Sequence, residues 1–387
     1  MIPRTLFSES HEIFRASVRR FVETSLVPHH RQWERDGIVP RSVWREAGGH
    51  GLLCCNVPEE YGGAGADWLH NVVVIEELAR AGVSGPGSGF MVHSEMAAAY
   101  LMNFGSETAK RLYLPRMVSG EMIGAIALTE PDAGSDLKSI KTRARLEKND
   151  EYEISGQKLY ISNGHNADLV VVACKTDPDK GAKGVSLIVV ETDQPGFKRG
   201  RKLEKLGLHA QDTSELFFDA VRAPARNLLG REGAGFGMLM SKLVQERLVQ
   251  AIRSVRAAEA IIDWTIDYTK QRKAFGHTLA DFQNTQFKLA ELTADTSCTR
   301  AFVDRCVAVF MAGELSAVDA AQVKMVAANL QCRVADECLQ FFGGFGYVFE
   351  LPIARAFVDA RVAKIAGGAI EVMKQIISRE IFSSHVG

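Results

Sequence analysis

Residues 235–256 read GFGMLMSKLVQERLVQAIRSVR, and their apolar positions recur at helical spacing through Leu239 and Leu243. Three residues further along the same row stands Glu246. A carboxylate in a buried leucine row is costly unless it is partnered or protonated, which makes Glu246 the first candidate for chemistry. Lys242, four residues earlier, offers a plainer alternative, an exposed ion pair on the helix surface. On this helix alone both readings stand.

Downstream the helical pattern continues with few breakers through 252–271, 282–311, 317–342 and 369–381. Upstream lie short β-rich runs at 123–128, 152–154, 159–162, 169–174, 185–190 and 215–218, separated by Gly, Asn, Asp and Pro turns. That spacing suits an antiparallel sheet or small barrel rather than a βαβ array. Before it, residues 8 to 118 read as helices. Ile13, Phe14, Val18 and Phe21 share a face, a second helix runs through Val72–Leu78 after the loop Pro58–Ala66, and periodicity returns from Met96 to Leu114. The order predicts an α+β chain with a sheet between two helical blocks, divided as 1–118, 119–231 and 232–387.

Composition narrows the function. A chain of 387 residues exceeds one ordinary core and has room for a buried ligand. Hydrophobic residues at 46% and charged residues at 24% describe a globular protein, and a net charge of −1 gives no case for nucleic acid or an anionic membrane surface. The longest apolar runs, Leu169–Cys174 and Val185–Val190, are far too short to span a bilayer. The N-terminus carries neither a secretory pattern nor a Ser- and Arg-rich transit peptide. The expected compartment is therefore the cytoplasm, or the mitochondrial matrix if a transit peptide has been removed. Cys54, Cys55, Cys174, Cys298, Cys306, Cys332 and Cys338 form no CxxC pair and have no zinc-type His spacing, so reduced thiols and no metal site are expected.

Four further stretches could carry chemistry. Leu128-Thr129-Glu130-Pro131-Asp132-Ala133-Gly134-Ser135-Asp136 follows a strand and can present N–H groups and hydroxyls to a polar ring or phosphate, or serve as an ordinary turn. Tyr160-Ile161-Ser162-Asn163-Gly164 ends a strand with an aromatic and a hydroxyl, which suits a core position as well as a cofactor wall. Arg272-Lys273-Ala274-Phe275-Gly276 closes a helix with cations that the helix dipole alone would explain. In Gln340-Phe341-Phe342-Gly343-Gly344-Phe345-Gly346-Tyr347 three glycines follow a helix. They are not the dinucleotide fingerprint, and they either admit something flat or bulky or simply stop the helix.

Taken in order, LTEPDAGSD, KLYISNG, QDTSELFF, QRKAFG, QFFGGFGY and DARVAKIAGGAIEVMK resemble the acyl-CoA dehydrogenase family along nearly the whole chain. Gln245-Glu246-Arg247 and IAGGAIE most resemble its long-chain type. The resemblance implies an N-terminal helical domain, a central antiparallel β domain and a C-terminal four-helix bundle, assembled as a homotetramer that is a dimer of dimers. It also implies FAD between the β domain and the C-terminal helices. Ile126 to Ser135 would line the flavin, with Leu128 and Thr129 on the ring and Gly134 and Ser135 closing the loop; Tyr160, Ile161 and Ser162 would border it on the other strand. Arg272, Phe275 and Gln283, with Gln340, Phe341, Gly343 and Gly344, would reach the adenine dinucleotide part of a FAD in the partner subunit, and Ala369, Ile370 and Glu371 match the last flavin-contacting segment.

Two departures bear on mechanism. Many members carry the catalytic glutamate just before a Gly-Thr pair near the C-terminus, where this chain has Gly367; long-chain and isovaleryl types carry it on the earlier helix, at the position of Glu246. The resemblance thus makes Glu246 the base that removes the α proton of an acyl-CoA, with the backbone N–H of Gly367 helping to hold the thioester oxygen. A hydride passes to flavin N5, giving a trans-2-enoyl-CoA, and electrons leave to an electron-transferring flavoprotein. Ser135 and Arg247 match CoA-contacting positions, while Gly237, Val244, Gln245 and Gly368 line the thioester region; Arg247 also suits a structural ion pair. The second departure is Ala369 where Thr is usual, removing a flavin hydrogen bond worth about 1 kcal/mol. The resemblance to members that carry the base on the middle helix and act on long, branched or isovaleryl chains, together with the small Ala366 and Gly367 near the site, implies a medium-to-long or branched acyl chain. Two other readings stand beside this one. They are an oxidase-like or monooxygenase-like relative that admits oxygen, and a non-catalytic subunit of a hetero-oligomer.

Overall fold

The computed structural model describes residues 3–383. The N-terminal block comprises α1 (Glu9–Phe21), α2 (Val27–Asp36), α3 (Arg41–Gly49), α4 (Trp68–Arg80), α5 (Ser84–Met91), α6 (Ala99–Phe104) and α7 (Glu107–Val118). Local chemistry sets several ends. Ser8 and His11 form a capping box on α1, Asp67 accepts from Leu69 N–H at the start of α4, and Ser106 does the same for Ala109 on α7. On α1 the buried row is His11, Val18 and Phe21, whereas Ile13 is 67% exposed. Ile13 lies five residues before Val18, about 140° around the helix, so it falls off the stripe on which the sequence reading placed it.

Between α5 and α6 the chain stays helical through a π turn, Val92–Ala98. The glycine-rich start of α5 gave no helical signal in the sequence. There the helix needs small residues: a Cβ on Gly85 would lie 2.4 Å from the Ala210 side chain.

The middle block is a seven-stranded sheet of β1 (Gly124–Ala127), β2 (Arg143–Leu146), β3 (Glu151–Ser162), β4 (Leu169–Lys175), β5 (Val185–Glu191), β6 (Phe197–Lys202) and β7 (Thr213–Pro224). Its order is β1-β4-β2-β3-β7-β6, with β5 also on β4. Most pairings are antiparallel; β1 runs parallel to β4, with Gly124 opposite Leu169. The two runs read at 152–154 and 159–162 are one strand, β3, with register shifts at Ile154/Gly156 and Lys158/Ile161. The sequence reading missed β2 and β6, whose residues are largely charged and exposed.

β4 and β5 are buried on both faces, and their residues alternate between two cores. Leu169, Val171, Leu187 and Val189 join the N-terminal helices, while Val170, Val172, Ile188 and Val190 form the sheet's own core with Leu216 and Phe218.

The last block contains α8 (Gly235–Gln271), a small hairpin of β8 (Lys273–Ala274) and β9 (His277–Thr278), then α9 (Gln283–Met311), α10 (Ala317–Phe341), α11 (Pro352–Ala360) and α12 (Ile370–Ser383). α4 is buried almost all round and joins the blocks. Its Trp68, Val72 and Ile75 pack with α8, α9 and α10, and its Val73, Val74 and Leu78 pack with the N-terminal core. α8, 37 residues and about 55 Å long, does the same along its length. Met238 and Leu239 belong to the core shared with the sheet, and Leu248, Val249 and Ile252 to the core of the C-terminal helices. Glu246 sits at that junction. None of the described helices is long and apolar enough to cross a membrane, and none of the seven cysteines is paired.

Candidate active site

Glu246 is 5% exposed. Its hydrogen bond comes from the phenol of Tyr100, whose Oη donates to Oε1 at 3.0 Å. The ion pair weighed against catalysis does not form, because Lys242 turns its ammonium to Gln245 Oε1 at 2.9 Å. Burial drives the carboxyl pKa up, and the Tyr100 hydrogen bond and the charges of Arg247 and Lys242 offset only part of that, leaving it at about 7. A carboxylate so poised exists in both protonation states near neutrality, as a general base requires.

A second buried carboxylate, Glu95 on the π turn, stands behind it. Glu95 Oε2 accepts from Trp68 Nε1 at 2.7 Å and from Gln245 Nε2 at 2.8 Å, and burial raises its pKa. Both ends of the Gln245 amide are thereby occupied within the protein. Arg247, in contrast, is buried with its Nε unpartnered and makes no ion pair among the described residues. Of the two roles open to it from sequence, the structural ion pair is absent, and a buried, unsatisfied guanidinium calls for an anionic or carbonyl ligand.

The loop before α12 approaches the same helix. Gly367 and Gly368 have φ of +68° and +98°, which residues with a Cβ rarely adopt. A Cβ on Gly367 would lie 3.6 Å from Gln250, one helical turn beyond Glu246. Lys324, fully buried on α10, donates to the Gly368 carbonyl at 2.7 Å and fixes this loop; burial, then the Arg247 charge, lower its pKa to about 8. Val244 is half-buried and Gly237 is exposed with open space above it.

The flavin-lining candidates lie on the sheet. Ile126 ends up half-buried on β1, followed by half-buried Leu128 and Thr129 and exposed Gly134 and Ser135. This loop is held from below by a buried bridge: Glu130 accepts from Lys158 at 2.8 Å and from the N–H groups of Lys141 and Thr142, while Lys158 also donates to the Leu128 carbonyl. Thr129 C=O accepts from Leu159 N–H, coupling loop to strand. Tyr160 lies in the β3 register shift with φ +61° and is 64% exposed, whereas Ile161 points into the sheet core, leaving only its backbone for a ligand. Ser162 is half-buried opposite Thr213. An exposed aromatic, hydroxyls at Thr129 and Ser162 and open space over Gly134 form a donor set that fits a flat ring with polar edges.

Arg272, Phe275, Gln283 and Gln340 are exposed at the far end of α8. There an open cleft of about 500 Å³ is lined by Tyr268, Arg272, Phe341, Gly343 and Gly344. Arg272 is 26 residues beyond Glu246, about 39 Å along the helix, so this group and the base cannot meet the same part of one ligand within a chain. Of the last segment, Ala369 is half-buried, Ile370 packs inward on Ala328 and Ala363, and Glu371 is exposed.

Tyr100, Glu95 and Lys324 were missed in the sequence, because the π turn breaks the 3.6 period that would place the first two on the face of α8. A further cluster of His11, Asp67 and His70 offers metal-type ligands. Its chemistry is capping: Ser8 N–H donates to His11 Nδ1, so Nε2 carries the proton given to Asp67.

Three family models match: acyl-CoA dehydrogenase N-terminal domain over residues 8–121, middle domain over 125–221 and C-terminal domain over 233–382. The chain is 47% identical to the mitochondrial long-chain specific acyl-CoA dehydrogenase of Sus scrofa, over 98% of this chain and 88% of that protein. Among solved structures it resembles an acyl-CoA dehydrogenase from Geobacillus kaustophilus, at 47% identity with a TM-score of 0.95 over 98% of this chain and 100% of that one. It also resembles a glutaryl-CoA dehydrogenase from Mycobacterium smegmatis in complex with FADH2, at 29% identity with a TM-score of 0.90 over 97% and 95% of the two chains. Family models on all three blocks and a relative this similar over nearly the whole chain establish that this protein belongs to the acyl-CoA dehydrogenase family.

Proposed function

We propose that the protein oxidises a medium-to-long or branched acyl-CoA to the trans-2-enoyl-CoA, with Glu246 as the base that takes the α proton. The observation that carries this reading is the state of Glu246, buried, hydrogen-bonded to a neutral phenol and free of any ion pair. With its pKa near 7, it accepts a proton from a carbon acid without first being stabilised as a fixed anion. Arg247 supplies an unpartnered cation for the CoA moiety, and Gly367, which lies beside Gln250 of α8, would offer its backbone N–H to the thioester oxygen.

Leu128, Thr129 and Tyr160 would hold the flavin of FAD, which would supply the hydride acceptor and the route for electrons to an electron-transferring flavoprotein. The cleft at Arg272 and Gly343, too far from Glu246 to serve the same ligand, is read as the part that completes a partner subunit's site in a homotetramer. The blocks 1–118, 119–231 and 232–387 are read as the domains. The long-chain name of the pig relative supports the acyl-chain assignment.

The test is anaerobic titration of the purified protein with octanoyl-CoA and palmitoyl-CoA, following flavin bleaching, beside Glu246→Gln. Wild type bleaches; the variant holds flavin and bleaches about 10²–10⁴-fold more slowly. Equal bleaching by both proteins transfers the proton to another group and sinks the assignment.

A further inference from the structure

The helix that delivers Tyr100 is irregular at a specific place. Glu95 and Tyr100 are five residues apart, a separation that in a regular α-helix puts side chains about 140° apart. The π turn Val92–Ala98, whose hydrogen bonds span i to i+5, brings both onto the face of α8. Glu95 then meets Gln245 and Tyr100 meets Glu246, neighbouring residues of the same helix. Tyr100 is wholly buried and its side-chain hydrogen bond is the one to Glu246. Among the described residues no second acceptor competes for its proton, so the phenol is a dedicated donor to the carboxylate.

We propose that Tyr100 is a positioning residue for the base, fixing the Glu246 carboxylate at Oε1 and setting the pH at which it is free to take a proton. The proposal rests on Glu246 being the base. The charged groups around the carboxylate are Lys242 and Arg247 on α8; Glu95 on the π turn and Lys324 on α10 stand one neighbour further out, beside Gln245 and Arg247. Neither Lys242 nor Arg247 forms an ion pair with Glu246 at hydrogen-bond distance, so among the described residues the phenol is the one direct contact that favours the anion. A donor to the charged form lowers an acid's pKa, and its removal raises it.

The experiment is the pH profile of flavin bleaching by octanoyl-CoA in the FAD-loaded enzyme, for wild type, Tyr100→Phe and Glu246→Gln. Tyr100→Phe keeps the ring, and the acid limb of its profile moves up by about one pH unit, so that at pH 6 the rate falls about tenfold. KM changes less than kcat. A packing role alone would leave the limb in place. If Tyr100→Phe does not fold, 3-fluorotyrosine incorporated at this position keeps the shape while strengthening the donor, and the limb moves down instead. A limb that overlays wild type in either protein overturns the proposal. Bleaching by Glu246→Gln as fast as wild type overturns the base assignment itself, whatever Tyr100 does.

Discussion

Glu76 and Glu246 are both helix glutamates, 1% and 5% exposed, in runs of apolar residues, yet they are opposite kinds of charge. Glu76 on α4 is held by Arg4 at 2.8 Å and by Arg15 and Arg300, each at 2.9 Å. Burial alone would raise its pKa; the Arg300, Arg4 and Arg15 contacts outweigh that and depress it to about 2. Glu246 has one neutral donor and sits at about 7. Burial is the same in both cases. The number of cations within hydrogen-bond reach decides whether a buried carboxylate is a structural anion or a base.

The sharpest separation is between function and stability. Glu246→Gln should slow flavin bleaching by the about 10²–10⁴-fold given above while the protein keeps its flavin. Glu76→Gln leaves three guanidinium groups, that of Arg300 buried, facing a neutral amide and lowers the unfolding free energy by about 3–5 kcal/mol, read from urea midpoints. A Glu76→Gln protein as stable as wild type would remove the distinction.

The pH dependences have opposite signs. Glu76 has its pKa below the ordinary 4.5, so its stabilising contribution is complete above pH 4.5 and is lost as pH falls from 4.5 towards 2. Glu246 has its pKa above 4.5, so it favours the folded state most at low pH, and that contribution is lost as pH rises from 4.5 through 7. Each amounts to about 3 kcal/mol across its window. Between pH 5 and 8, Glu246→Gln should therefore gain stability relative to wild type; a difference that stays flat over that range breaks the comparison.

The cations repeat the contrast with a smaller effect. Arg300 is paired with Glu76 and Glu259, and Arg247 with no group among the described residues. Arg247→Met should leave the melting temperature unchanged while raising KM for acyl-CoA by about 10-fold or more, the loss of a hydrogen bond to a charged group. A drop in stability with unchanged KM would assign Arg247 to the scaffold.

Glu246 and its leucine row were legible in the sequence because helical periodicity is a local property; Leu239 and Glu246 needed only 3.6 residues per turn to be placed on one side. The same rule misplaced Ile13 by a fraction of a turn and missed β2 and β6, where charged, half-paired strands carry no apolar alternation. Lys242 could be read as a partner for Glu246 by spacing alone, and only the packed helix shows it turned to Gln245.

By itself, then, the sequence determined the order of helical, β and helical blocks, the glutamate row on α8 and, through six motifs, the family. Tertiary structure alone decided that Glu246 is unpaired while Glu76 is neutralised, that Tyr100 and Lys324 reach the site from elements 146 and 78 residues away in sequence from Glu246, and that the Arg272 cleft is remote from the base. The physical reason is that a charge's state depends on every group within a few ångströms, and those groups come from distant parts of the chain only once it has folded.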